Sequence, residues 1–177
     1  MYFVTSNDNK LKEYQEILGI KLERANLDLP EIQAINIEDV SRYKVLNAYR
    51  ELNCPVFVED TGLFLRDMGG LPGALVKHFI DNISLQKMCK LVDSNRCATA
   101  KVCLAYCKNG KDVKLFVGQT EGIISAEPKG GNGFGWDSIF IPSGSKKTFA
   151  EMKSEEKNKY MRAEAAQKFK EYLKRKR

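Results

Sequence analysis

The sequence predicts an α/β fold, a mixed β-sheet flanked by helices, and three observations carry that prediction. First, "ATAKVCLAY" alternates, with Ala98, Ala100, Val102, Leu104 and Tyr106 on one face. Asn109-Gly110 then turns the chain into the returning run "VKLFVGQTEGII", which makes an antiparallel hairpin. Second, the short apolar runs "YFV" and "VFV" are separated by segments of helical period. Third, the chain closes on a charged stretch whose apolar residues recur every three or four positions. No repeat, low-complexity tract or linker interrupts the 177 residues, so one domain spanning 1–177 is expected.

Taken in order, Tyr2 to Val4 form the first strand. After the polar break "TSNDN", the residues Leu11, Tyr14, Ile17 and Leu18 give a helix one apolar face, and Asp8 and Asn9 suit its start. A second helix begins near Glu38, with Ile37, Val40, Tyr43, Leu46 and Tyr49 as its stripe. Pro55 ends that approach, and Val56 to Val58 read as a buried strand. "GGLPG" reads as a turn-rich surface segment and "SLQKMCKLV" as a short helix. The hairpin follows, then "DSIFIP" as a third strand of that half. The last helix runs from Glu155 onward, with Met161, Ala165, Phe169, Tyr172 and Leu173 toward the body.

Composition narrows the function classes. Hydrophobic residues at 43% and charged ones at 29% describe a globular chain rather than a disordered one. No apolar run approaches the ~18 residues of a membrane helix, and "MYFVTSNDNK" lacks the basic flank and apolar stretch of a secretory signal. Five cysteines without a CxxC pair, and a single histidine, His78, argue against zinc and against a disulfide framework. Reduced cysteines in a cytoplasmic protein are expected. The net charge of +6 favours anionic partners, and part of it sits in the terminal Lys174 to Arg177. That tail also fits a solvated helix end, and a nucleic-acid partner is not expected.

Four places could hold chemistry. "TSNDNK" places backbone N–H groups at a helix start, an anion site with Thr5, Ser6, Asn7 and Lys10 as added donors. The same residues fit a capped helix. Glu59 and Asp60 follow a buried strand, where carboxylates can hold Mg²⁺ with substrate phosphates or take a proton from water. They also fit a turn before Gly62. "KGGNGFGWDSIF" alternates glycines but fails the context of a dinucleotide fingerprint. Its aromatics suit either a base-stacking site or a core bend. "EEKNKYMR" places Lys157 about one helical turn from Met161 and Arg162, or is simply a solvated face.

Five blocks occur in order: "VTSNDNKLKEYQEIL", "LPEIQ", "VEDTGLFLRDMGGLPGALVKHF", "GNGFGWDSIFIPSGSKKTFAEM" and "EEKNKYMR". On these the whole chain resembles the inosine triphosphate pyrophosphatase family. The resemblance implies an elongated mixed sheet with helices, two lobes around a deep nucleotide cleft, and a homodimer. It implies hydrolysis of noncanonical purine nucleoside triphosphates (ITP, dITP, XTP) to nucleoside monophosphate and pyrophosphate. Mg²⁺ is the implied ion, with Mn²⁺ as its alternative. Thr5, Ser6, Asn7, Asp8, Asn9 and Lys10 resemble the triphosphate loop. Glu31 and Asp60 resemble the metal-binding acids, Asp60 being also the group that orients or deprotonates water, with Glu59 assisting. Thr61, Lys44 and Lys77 resemble substrate and phosphate contacts. Phe134, Gly135, Trp136 and Asp137 match the base-holding block, and Lys157, Met161 and Arg162 match the helix that closes over the nucleotide. Arg162 is the implied donor to a 6-oxo purine; adenine, with an amino group there, leaves that donor unpaired.

The chain departs from the family where Ser-His-Arg is usual and Tyr160-Met161-Arg162 stands instead. Methionine packs against a base but offers no strong hydrogen bond. Two alternatives follow from this change: the same reaction with shifted base specificity, or a non-catalytic binder of nucleotides or nucleic acid. Ser6 in place of the usual glycine is a milder change.

Overall fold

The computed structural model describes residues 1–92, 94–157 and 159–175, and for Asn9 the backbone alone. Among the described residues seven strands form one mixed sheet, ordered β2-β1-β3-β5-β6-β7, with β4 also pairing β3. The strands are β1 (Tyr2–Val4), β2 (Glu23–Ala25), β3 (Val56–Leu65), β4 (Pro72–Gly73), β5 (Cys97–Cys107), β6 (Val113–Ile124) and β7 (Phe140–Pro142). The helices are α1 (Asp8–Leu18), α2 (Ile37–Leu52), α3 (Val76–Asn82), α4 (Leu85–Lys90), α5 (Ser154–Lys157) and α6 (Met161–Arg175). No described helix is long and apolar enough to cross a membrane.

The expected hairpin is the centre of the sheet. β5 and β6 pair antiparallel from Cys97↔Ile123 to Cys107↔Val113. Gly110 takes φ 76° in the turn, and the Asn109 side chain accepts from the Lys111 and Asp112 amides. β3 pairs antiparallel with β5 along its whole length and parallel with β1 at its start. The two faces carry separate cores. Phe3, Tyr14, Phe57, Leu104 and Phe169 pack under α1 and α6, while Val45, Ala48, Val56, Val58 and Ala105 pack under α2. Period-two alternation along β3 therefore sends Phe57 one way and Val58 the other.

Four expectations change. α2 buries Ile37, Val40, Ser41, Val45 and Ala48, and Tyr43 is exposed, because the stripe follows 3.6-residue steps past the serine. "GGLPG" is not a surface turn: Pro72 and Gly73 are buried as β4. A Cβ on Gly73 would sit 2.6 Å from the Ile35 carbonyl oxygen, so this glycine serves a close backbone approach. β2 and α3 carried no clear periodicity and are additions. The last helix is two pieces. The Met161 amide donates to Thr120 Oγ1 of β6 at 3.0 Å, which caps a new helix start instead of extending α5. All five cysteines are free, and Cys89, Cys103 and Cys107 are buried.

Candidate functional site

The site begins with a gap in the sheet. On the edge of β3 away from β5, β1 covers Val56 and Phe57 and β4 covers Leu63 and Phe64. Among the described residues no strand pairs that edge between Val58 and Gly62. The chain leaves β1 at this gap and turns into α1. The Thr5 amide bonds to the Ala25 carbonyl, Thr5 Oγ1 accepts from the Asn7 amide, and Asn7 Oδ1 accepts from the Lys10 amide at 3.3 Å. Asn7 thus caps α1, and the positive end of the helix dipole lies beside the open edge. Asp8 turns away and pairs with Arg24 of β2 on the exposed surface at 2.6 Å.

Glu59 and Asp60 lie at this gap, but neighbours on a strand face opposite sides of the sheet, so they do not act as one acid pair. Asp60 faces α2. Its Oδ2 accepts from Ser41 at 2.8 Å, and its Oδ1 accepts from Lys44 at 2.8 Å. Lys44 Nζ also bonds Glu31 Oε1 at 2.5 Å, so one ammonium spans two carboxylates from different segments. Burial pulls the Lys44 pKa down, but the Asp60 and Glu31 carboxylates outweigh it and raise it overall. Ser41 is fully buried. Cys103 lies directly opposite Asp60 in the sheet register, and burial pushes its thiol up to about 12, so it stays protonated.

Two hard carboxylate oxygens converging on one cationic atom suit Mg²⁺ or Mn²⁺, which bind through one or two carboxylates while phosphates and water complete the shell. Among the described residues no group of three or more His, Cys, Asp or Glu side chains could hold a metal by protein ligands alone.

Glu59 faces α1 and α6. Its side chain is 1% exposed and accepts from Arg162 Nε at 3.1 Å and Nη2 at 3.2 Å. Lys10 Nζ stands 2.9 Å away, and the Tyr14 hydroxyl donates a short bond. Burial alone would raise the Glu59 pKa, but the charges of Arg162 and Lys10 and the bonds from Arg162 and Tyr14 hold it well below the carboxylate range. Glu13, 3.6 Å from Arg162 Nη1, is raised by its own burial.

On this side opens a cleft of about 1090 Å³ whose lining includes Asn7, Lys10, Phe134, Lys157 and Arg162. Phe134 is 53% exposed, and Lys10 Nζ lies 5.0 Å from its ring centre. Asp137 Oδ2 accepts from Lys157 Nζ and the Phe134 amide, each at 3.4 Å. Gly133 has φ 110°, and a Cβ there would lie 2.2 Å from Asp137 Oδ2. The glycine loop is stapled from behind: Asn132 donates to the Ala150 carbonyl, Ala150 donates to the Asp137 carbonyl, and Thr148 Oγ1 donates to the Lys129 carbonyl.

The structure therefore gathers Asn7, Lys10, Phe134, Asp137, Lys157 and Arg162 around one side of the gap and Glu31, Lys44 and Asp60 on the other, while Gly135 turns the loop with φ 60°. Thr5, Ser6 and Thr61 sit in the connecting loop and strand. Asp8, paired with Arg24, and two buried residues, Trp136 and Met161, are placed away from the cleft. Trp136 is buried, its ring edge-on to Phe140 at 5.7 Å. Met161 is 7% exposed within the main core, because α6 starts flush against β6. Lys77 is exposed on the first turn of α3 and makes no ion pair among the described residues. The Asn9 side chain, and Lys176 and Arg177 of the basic tail, lie outside the described residues. Ser41 and Tyr14 were not foreseen as site residues. Ser41 lies three positions before Lys44 on the same helix face, a spacing that could have revealed it. Tyr14 reads in sequence as an apolar position, and its hydroxyl partner is 45 residues away.

Comparison with known proteins bears on the family and the fold. The Ham1 family matches residues 1–172. The chain is 42% identical to the inosine triphosphate pyrophosphatase of Aspergillus fumigatus, over 97% of this chain and 92% of that one. It is 40% identical to the dITP/XTP pyrophosphatase of Hyperthermus butylicus, over 88% and 84%. A solved HAM1 protein from Coxiella burnetii superposes with a TM-score of 0.85 at 26% identity, over 99% of both chains.

Proposed function

The chain belongs to the Ham1 family, and on that basis we propose that it hydrolyses noncanonical purine nucleoside triphosphates, ITP, dITP and XTP, to nucleoside monophosphate and pyrophosphate. One observation carries the geometric part: the open edge of β3 separates a cationic, aromatic cleft from a pair of carboxylates already gathered on one ammonium. A nucleotide fits across that edge. Phe134 offers a stacking face, Lys157 and Arg162 flank the nucleoside end, and Lys10 with the amides at the α1 start meets the phosphates. Glu31 and Asp60 would hold Mg²⁺ or Mn²⁺. Bound there, the ion neutralises phosphate charge and polarises the bond that breaks.

Asp60 orients the attacking water and takes its proton as the water oxygen bonds to the α-phosphorus. The bond from that phosphorus to the bridging oxygen breaks, and pyrophosphate leaves. Ser41 fixes Asp60 from behind, so the carboxylate keeps one direction through the step. Lys44 balances the carboxylates when the site is empty of substrate and meets phosphate oxygens when it is filled. Homodimer assembly and a cytoplasmic setting belong to the same proposal.

The test is a product assay with ITP, XTP, GTP and ATP in the presence of Mg²⁺. Equimolar monophosphate and pyrophosphate from ITP and XTP are expected. Orthophosphate with nucleoside diphosphate would mean attack at a different phosphorus and would overturn the assignment. The buried Met161 favours one variant of this reading: base selection without a side chain at position 161, resting on Arg162 and the 133–137 loop. Equal rates on ITP and ATP in the same panel would mean those groups do not discriminate.

A further inference from the structure

Glu59 has no place in the mechanism above, yet it is the most heavily engaged acid of the site. Its side chain is 1% exposed, so it cannot touch a nucleotide. Every group that holds it comes from another element: Lys10 and Tyr14 from α1, Arg162 from α6. Two of those three, Lys10 and Arg162, line the cleft.

We propose that Glu59 is a positioning residue that holds Arg162 and Lys10 at the cleft and so sets nucleotide binding and base selectivity. This rests on the pyrophosphatase reading and deepens it. An arginine is long and flexible, and fixing it at a precise place needs two bonds in its plane. Glu59 makes both, to Nε and Nη2, using one edge of the guanidinium. The remaining edge, with Nη1, is left for the cleft. Glu13 lies 3.6 Å from Nη1, beyond hydrogen-bond distance, so it adds charge without consuming the donor. The same carboxylate reaches Lys10, whose ammonium also lies over the Phe134 ring. One buried charge thus fixes two neighbouring cations of the cleft wall.

Burying a carboxylate with two cations has a desolvation cost that hydrophobic packing would avoid. A purely structural role would not need both cations to face the cleft. Tyr14 completes the set: its ring packs against Phe3 and Phe57, while its hydroxyl fixes the carboxylate rotamer.

The test uses the full chain and compares wild type, Glu59→Gln, Glu59→Asp and Tyr14→Phe. Steady-state kinetics on ITP and ATP are read with calorimetric binding of IMP and of inorganic pyrophosphate. Glu59→Gln keeps the shape but loses the charge and one arm of the fork. Its KM for ITP is expected to rise roughly tenfold to a hundredfold, with kcat changed less than about threefold, because a bond to a charged group is being lost. The preference for ITP over ATP is expected to fall about tenfold, and both IMP and pyrophosphate to bind more weakly. Glu59→Asp, which keeps the charge, is expected to recover part of the loss. If Glu59→Gln does not fold, Tyr14→Phe decides, with a KM rise of about threefold to tenfold expected.

A loss of thermal stability with unchanged KM, selectivity and IMP binding would reduce Glu59 to a structural staple and overturn the proposal. Wild-type protein that releases no pyrophosphate from any triphosphate would instead overturn the functional reading beneath it.

Discussion

Gly118 lies in β6 directly under the first turn of α6. A Cβ placed there would stand 1.9 Å from the Met161 carbonyl oxygen, 2.8 Å from its carbonyl carbon and 2.9 Å from the Ala165 nitrogen. All three are backbone atoms, so no rotamer change relieves the contact. Reaching an ordinary separation of ~3.4 Å needs a shift of about 1.5 Å from the present 1.9 Å. Gly118→Ala must therefore lift the start of α6 off the sheet, stretching the bond between the Met161 amide and Thr120 Oγ1. Overpacking of this kind costs about 1–3 kcal/mol, against roughly 0.5–1 kcal/mol gained by replacing glycine in a strand. With a backbone contact this short the cost lies at the upper end, so the net loss is about 2–2.5 kcal/mol, or roughly 4–10 °C in Tm for a chain of this length. Arg162 is the next residue, so its fork on Glu59 moves too, and KM for ITP should rise with Tm falling. Gly131, whose Cβ would meet nothing within 4 Å, supplies the stability control: Gly131→Ala should stay within about 0.5 kcal/mol. Differential scanning calorimetry and ITP kinetics read both. A Gly118→Ala protein as stable as wild type, with the same KM, would show that α6 does not seat this closely and that Met161 need not be core.

Three further outcomes are expected. Asp60→Asn should lower pyrophosphate release by about 10²–10⁴ with only a modest change in Tm, since the amide oxygen can still accept from Lys44 while the Ser41 hydroxyl turns to accept from the amide NH2; circular dichroism and a coupled pyrophosphate assay check both halves. Glu59 is held below its ordinary value of 4.5 in the folded state, so its stabilisation is complete above that pH and is lost as the pH falls below it toward the depressed folded pKa. Glu13, raised by burial, works in the opposite sense. Denaturant midpoints between pH 3 and 6 should fall toward acid in wild type and fall less steeply in Glu59→Gln. Met161→His should cost about 1–3 kcal/mol by burying a polar ring and leave the ITP to ATP ratio unchanged, and a gain in ITP selectivity would place position 161 on the cleft wall instead.

Much of the molecule was legible in the sequence. The hairpin announced itself through strict alternation and Asn109-Gly110, and α1 and the body of α6 through apolar spacing, because those signals are local and each element buries one face. The site blocks were legible through their resemblance to a family, which pointed to Asp60, Lys44 and the 134–137 loop. Other parts were not. Pro72 and Gly73 look like turn residues in any sequence. Only their contact with Ile35 and β3 makes them a buried strand. The break between α5 and α6 rests on a hydroxyl 41 residues away on β6.

The adjacent acids mark the division most sharply. By itself the sequence determined that two carboxylates follow a buried strand, that a capped helix start precedes them in the chain, and that enough lysine and arginine exist to meet a polyphosphate. It could not say that Glu59 and Asp60 part company. That was decided by the pleat of β3, which points alternate side chains to opposite faces, and by which helices cover those faces. α2 gives Asp60 a serine and a lysine shared with Glu31, which leaves it at the open edge of β3. α1 and α6 give Glu59 a tyrosine, a lysine and an arginine, which bury it as an anchor. Two like residues, one position apart, take different work because charge and solvent access are properties of the assembled faces and not of the chain order.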